Sequence, residues 1–108
     1  MSEETKKMIG QFQVYQQQLQ TILMQKETMK LQMMEMERAL KELDGTKQKT
    51  AYKITGQIMI SKPVEELKKD LNETKEGIDI RVKSLEKSEK RVSDKLKGLQ
   101  TKLREVIG

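Results

Sequence analysis

The stretch that decides the fold is Ala51–Ser61, "AYKITGQIMIS". Its even positions Tyr52, Ile54, Ile58 and Ile60 are apolar and its odd positions mostly polar. A period of two marks a strand with one buried face. A turn around Thr55-Gly56-Gln57 sets Ile54 opposite Ile58 and Tyr52 opposite Ile60, which puts all four on one face. A register one residue different would pair apolar with polar.

On both sides of this stretch the period changes to that of a helix. Upstream, at spacings of three and four, come Met8, Phe12, Tyr15, Leu19, Ile22, Lys26, Met29, Met33, Met36, Leu40 and Leu43. Only Lys26 breaks the apolar run, and a heptad stripe over five repeats predicts a coiled-coil helix. Asp44-Gly45 supplies the stop, with Gly45 placed for the left-handed position after a helix. Downstream, Pro63 is placed to open a second helix, and Glu65 and Glu66 suit its N-terminal dipole. Val64, Leu71, Ile78, Leu85, Val92, Leu99 and Val106 then recur every seven residues. Their companions are Leu67 and Thr74, then Val82, Glu89, Leu96 and Leu103, so two steps of four fall at Thr74–Ile78–Val82. Such a stutter relaxes the supercoil, and a bend is expected beside Gly77.

Two heptad helices of about 54 and 64 Å joined by a short connector predict an antiparallel pair. With Leu43 opposite Val64, Phe12 and Tyr15 lie near Leu96 and Val92, and Gly10 and Gly98 share a level. Those glycines predict a free end looser than the shaft. The segments are residues 1–44 for the first helix, 45–62 for the connector with its β-hairpin, and 63–108 for the second helix, in one domain.

Composition narrows the function. The chain has 108 residues, 34% hydrophobic and 36% charged, with three aromatic side chains. So dilute a core argues against a compact globule. Cysteine and histidine are both absent, which removes disulfides, the usual zinc sites, and imidazole or thiolate catalysis. No catalytic residue, metal site or cofactor is expected. The net charge of +5 comes from 22 basic and 17 acidic residues, interspersed as in "KSLEKSEKRVSDKLK". This is a solvated helix face, not the one-signed stripe of a nucleic-acid binder. There is neither an apolar leader nor a run of 18 apolar residues, so a cytoplasmic protein with no membrane partner is expected.

The hairpin is the anomaly. An isolated two-stranded hairpin is marginal in water, and both helical seams are already committed to each other. Its apolar side and open edges therefore ask for cover from other chains. The expected assembly set is Tyr52, Ile54, Gly56, Ile58, Met59 and Ile60.

The order of a long heptad helix, "ALKELDG", "AYKITGQIMI" and a second heptad helix resembles the beta-type prefoldin subunits, over nearly the whole chain. One hairpin between the helices is the beta pattern, since the alpha type carries two, and the short length is similar to archaeal members. The resemblance implies a mainly α fold, a long antiparallel two-helix coiled coil with a single β-hairpin at the connector. It also implies a hexamer of two alpha and four beta subunits, whose hairpins form an oligomeric β-barrel body. Its activity would be ATP-independent chaperoning, a holdase that captures unfolded proteins at the coiled-coil tips and passes them to a group II chaperonin. No phosphate-cradling G-x-x-x-x-G-K-[ST] run occurs here.

The implied client-binding tip draws Met8, Ile9, Phe12, Val14 and Tyr15 from the first helix, and Leu99, Leu103, Val106 and Ile107 from the second. Ile9, Val14 and Ile107 lie off the seam and are expected to be exposed, whereas Phe12, Tyr15, Leu99 and Leu103 serve equally as coiled-coil core. Met24, Met29, Met33, Met34 and Met36 suggest an adaptable apolar groove, but Met29, Met33 and Met36 fall on the seam and read as core. Two other functions fit the pattern: a purely structural coiled-coil subunit, or a nucleic-acid-binding coiled-coil arm.

Overall fold

The structure is a computed structural model that describes residues 2–107. Its elements run α1 (Glu3–Gly45), β1 (Thr50–Thr55), β2 (Ile58–Pro63) and α2 (Val64–Ile107). They form two compact units. One joins the chain up to Thr28 with the chain from Val82 onward, and the other is Met29–Arg81.

In the first unit α1 begins at a serine cap. The Thr5 amide donates to Ser2 Oγ at 3.1 Å and the Lys6 amide to the Ser2 carbonyl at 3.1 Å. Two of the orphan donors of the first turn are thereby satisfied, and Glu3 and Glu4 add negative charge at the positive end of the dipole. The seam positions Met8, Phe12, Tyr15, Leu19, Ile22 and Lys26 are all half-buried, and Thr5, one step of three upstream, is buried. The α2 side supplies buried Val82 and Val92 with half-buried Leu85, Leu96, Leu99 and Leu103. Lys26 meets Glu89, and Tyr15 lies under the Lys95 ammonium at 5.5 Å, so the two helical segments run antiparallel. Half-burial is what a single two-helix seam provides, since each side chain is covered from one side only. No side chain among the described residues is fully buried.

In the second unit Met29, Met33, Met36, Leu40 and Leu43 continue as half-buried positions. Val64 and Leu67 are buried, and Leu71, Lys75 and Ile78 half-buried. The long steps thus fall at Leu67–Leu71–Lys75, earlier than the heptads suggested. Thr74 is exposed, its hydroxyl donating to the Asp70 carbonyl at 2.9 Å. Lys75 takes the seam position instead. Its aliphatic stem covers more surface than a threonine methyl, while its ammonium reaches Glu37 at 3.4 Å. α2 continues unbroken through Gly77.

The register also differs from the expected one. Leu43 opposite Val64 would set Lys26 beside Arg81 and Asp44 beside Pro63. Lys26 instead pairs with Glu89, eight residues beyond the expected position, and Asp44 with Lys68 at 3.1 Å, five beyond it. At the level of the tip, Phe12 therefore shares a hollow with Gln100, Leu103 and Ile107, and Gly10 is not level with Gly98. The Val64 amide donates to the Lys49 carbonyl at 2.9 Å, so α2 starts at the very base of the hairpin. The crossing residues, 46–49, all lie on the α1 side.

Gly45 is the last residue of α1 and is not left-handed, because Gly56 is the one glycine with positive φ among the described residues. The chain leaves α1 through a hydroxyl turn, the Gln48 amide donating to Thr46 Oγ1 at 3.2 Å. Pro63 ends β2 opposite Thr50 and does not open α2. A strand terminus tolerates it because no ladder hydrogen bond is lost there.

Candidate functional site: the hairpin and the free end

β1 and β2 pair antiparallel as a two-stranded sheet, with Thr55 opposite Ile58, Ile54 opposite Met59, Lys53 opposite Ile60 and Tyr52 opposite Ser61. The loop is two residues, Gly56-Gln57, not three. Gly56 has φ +61° and no other residue in the loop is positive, the signature of a type II′ turn with glycine at its first central position. That turn twists in the same sense as the strands it joins, which is why it displaces the expected three-residue turn.

The shorter turn changes the faces. Cross-strand partners share a side, so Tyr52, Ile54 and Met59 lie on one face, and Ile58 and Ile60 on the other with Ala51 and Lys53. The expected single apolar face is thus two. Both are open: Tyr52 is 66% exposed, Ile54 71%, Met59 63%, Ile58 64% and Ile60 41%. Only Ala51 and Lys62, near the base, are half-buried. Lys62 is held there by Glu66 at 3.7 Å and Asp70 at 3.9 Å. Beside the base lies an open hollow of about 400 Å³, walled by Ala39 and Leu43 of α1, Leu67 and Leu71 of α2, and Ala51 and Tyr52 of β1. Five large apolar side chains on a sheet with two free edges make a surface that water stabilises poorly.

At the free end, Phe12, Leu103 and Ile107 line an open hollow of about 340 Å³ with Gln100 and Arg104. Val106 and Ile107 are exposed, and Met8 and Leu99 half-buried. Ile9 is half-buried as well, because it sits one residue past Met8 and within reach of the same facing helix. Val106, expected on the seam, is exposed. Val14 is exposed but belongs to another hollow, with Ile22, Leu85, Arg91 and Val92. Tyr15 is engaged by Lys95. Of the nine tip candidates, Phe12, Leu103 and Ile107 thus line one hollow and Val14 another. Gln100, Arg104 and Lys95 are polar neighbours that an apolar-pattern reading passes over. Met24 and Met34 are exposed, whereas Met29, Met33 and Met36 are half-buried in the seam.

Two lysines have raised pKa values. Lys26 is held up mainly by its hydrogen bond to Glu89, at 2.5 Å, against the opposing effect of burial. Lys68 is raised mainly by its bond to Asp44, with Glu65 adding to it. Both are ion pairs at or beside the seam, and neither faces a cavity with a nucleophile or a second titratable group poised for catalysis. No group of three or more Asp or Glu suited to a metal ion occurs among the described residues, and no helix there is long and apolar enough to cross a membrane.

Two long helices flanking one exposed hairpin define a class of assembly subunit, and the comparisons identify which. The family described as "Prefoldin subunit" matches residues 6–108, and the chain belongs to that family. Among its relatives, "Prefoldin subunit beta" of Methanospirillum hungatei is 36% identical over 108 residues, covering 99% of this chain and 90% of that one. "Prefoldin subunit beta" of Thermococcus onnurineus is 33% identical over 101 residues, 93% of this chain and 87% of the relative. The crystal structure of the prefoldin beta subunit from Thermococcus strain KS-1 superposes with a TM-score of 0.87 at 29% identity, covering 98% of this chain and 94% of that one.

Proposed function

We propose that the chain is a beta-type subunit of an ATP-independent chaperone, a holdase, that assembles through its hairpin and holds unfolded proteins at its free end. The assembly is a hexamer of two alpha-type and four beta-type subunits, with the hairpins closing a β-barrel body. A group II chaperonin receives the client, and the work is done in the cytoplasm. The observation that carries the reading is the hairpin, whose five large apolar side chains stay exposed on both faces. A subunit meant to stand alone would have buried them. The family supports the assembly, and the open hollow of Phe12, Leu103 and Ile107 supports client capture, since exposed apolar surface at a helix-pair end suits unfolded chains.

The test is to co-express the chain with an alpha-type subunit, weigh the complex, and measure suppression of aggregation of a denatured protein. Replacing Ile9, Val14 and Ile107 with Ser should weaken suppression and leave the complex mass unchanged. A purely structural subunit would assemble equally well yet give no protection with or without the serines. That result would refute the holdase reading, and unchanged suppression in the serine variant would refute the tip assignment.

A further inference from the structure

In the first unit the seam of each helical segment carries a single charged residue. On α1 it is Lys26, after Met8, Phe12, Tyr15, Leu19 and Ile22, and on α2 it is Glu89, between Leu85 and Val92. The two meet, Lys26 Nζ to Glu89 Oε1 at 2.5 Å, with side chains only 17% and 32% exposed. We propose that this pair selects the register of the helices, a task the apolar seams do not perform.

The reason is the heptad itself. Sliding α2 by seven residues, about 10.5 Å, returns apolar side chains to apolar partners along the seam. Within the first unit, Lys26 and Glu89 are the charged seam residues that register the change. Slid one way, Lys26 faces Val82 and Glu89 faces Leu19, and slid the other way Lys26 faces Leu96. In each case two half-buried charges lose their partners, and an unpaired charge away from water is strongly disfavoured. A single polar position in an apolar seam is known to set coiled-coil register in this way.

The chain has no cysteine, so engineered bridges report the register cleanly. Phe12→Cys with Leu103→Cys reports the observed register, in which the two residues line one hollow, and Phe12→Cys with Leu96→Cys reports a slide of seven, since a heptad offset exceeds the span of a disulfide. The full-length chain should form the first bridge at least about tenfold more readily than the second. With Lys26→Leu and Glu89→Leu together, helicity should persist but both bridges should form to comparable extents. With Lys26→Glu and Glu89→Lys together, the preference for the first bridge should return. An undiminished preference in the double-leucine chain would overturn the proposal, as would failure of the swapped pair to restore it. Loss of helicity in the double-leucine chain would also overturn it, by showing the pair to be needed for helix pairing at all.

Discussion

Replace Ile54 and Ile58 with Ser together. They stand on opposite faces of the hairpin and are 71% and 64% exposed. Full burial of an isoleucine is worth about 1.5–3 kcal/mol. Roughly two thirds of that remains unrealised in the single chain, so each serine removes about 1–2 kcal/mol from assembly and at most about 1 kcal/mol from the chain itself. The pair should therefore weaken a subunit contact by about 2–4 kcal/mol, roughly 30- to 1,000-fold in dissociation constant. Sedimentation velocity against a titrated alpha-type subunit reads the first quantity, and a urea melt of the dilute chain alone reads the second. Ile80→Ser is the control. That residue is 68% exposed on α2 of the same unit, so it makes an equal change in exposed apolar area away from the hairpin. Assembly unaffected by the hairpin pair, or weakened as much by Ile80→Ser, would refute the reasoning. So would a lone chain that loses several kcal/mol.

Other outcomes follow from single positions. Gly56→Val places a β-branched residue at φ +61°, where strain is about 1–3 kcal/mol; the hairpin should fray and assembly weaken while helicity by circular dichroism holds. Leu67→Ala, at a buried position, should lower stability by about 2–4 kcal/mol in the urea melt. The raised pKa values of Lys26 and Lys68 mean that their pairs stabilise the fold fully below the ordinary lysine value of 10.5 and that this stabilisation is lost as pH rises through the higher folded values. Stability measured from neutral pH to well above that value should fall, and Lys26→Met should make the fall shallower. An identical slope in the variant would show that Lys26 gains nothing from Glu89.

The helices were legible because their signal is redundant. Each of the eleven upstream seam positions is half-buried, Lys26 included, since one misplaced residue does not disturb a five-repeat stripe. Legibility failed where the pattern is degenerate. Apolar heptads are indifferent to a seven-residue slide, so the register needed charge partners that no single helix displays. Thr74 against Lys75 was decided by stem length and a partner on α1, neither visible in local periodicity. The hairpin turned on one residue of loop length. The apolar positions of 51–61 were read correctly, but Gly56 fits first position in a two-residue loop as well as the middle of three, and that choice moved Ile58 and Ile60 to the other face. A signal was present, because glycine opening a two-residue hairpin loop is the type II′ preference. Thr5 was missed because a polar residue extends the seam, and the tip was only partly read because exposure there depends on which facing residue lies level.

The most direct test of the account is hydrogen exchange of the amides of Thr50–Pro63 in the dilute chain and in its complex with an alpha-type subunit. Coverage of both strands by neighbouring subunits predicts rapid exchange of the outward-facing amides in the lone chain and protection by about a hundredfold or more in the complex. Protection already complete in the lone chain, or unchanged exchange in a complex of confirmed mass, would contradict it.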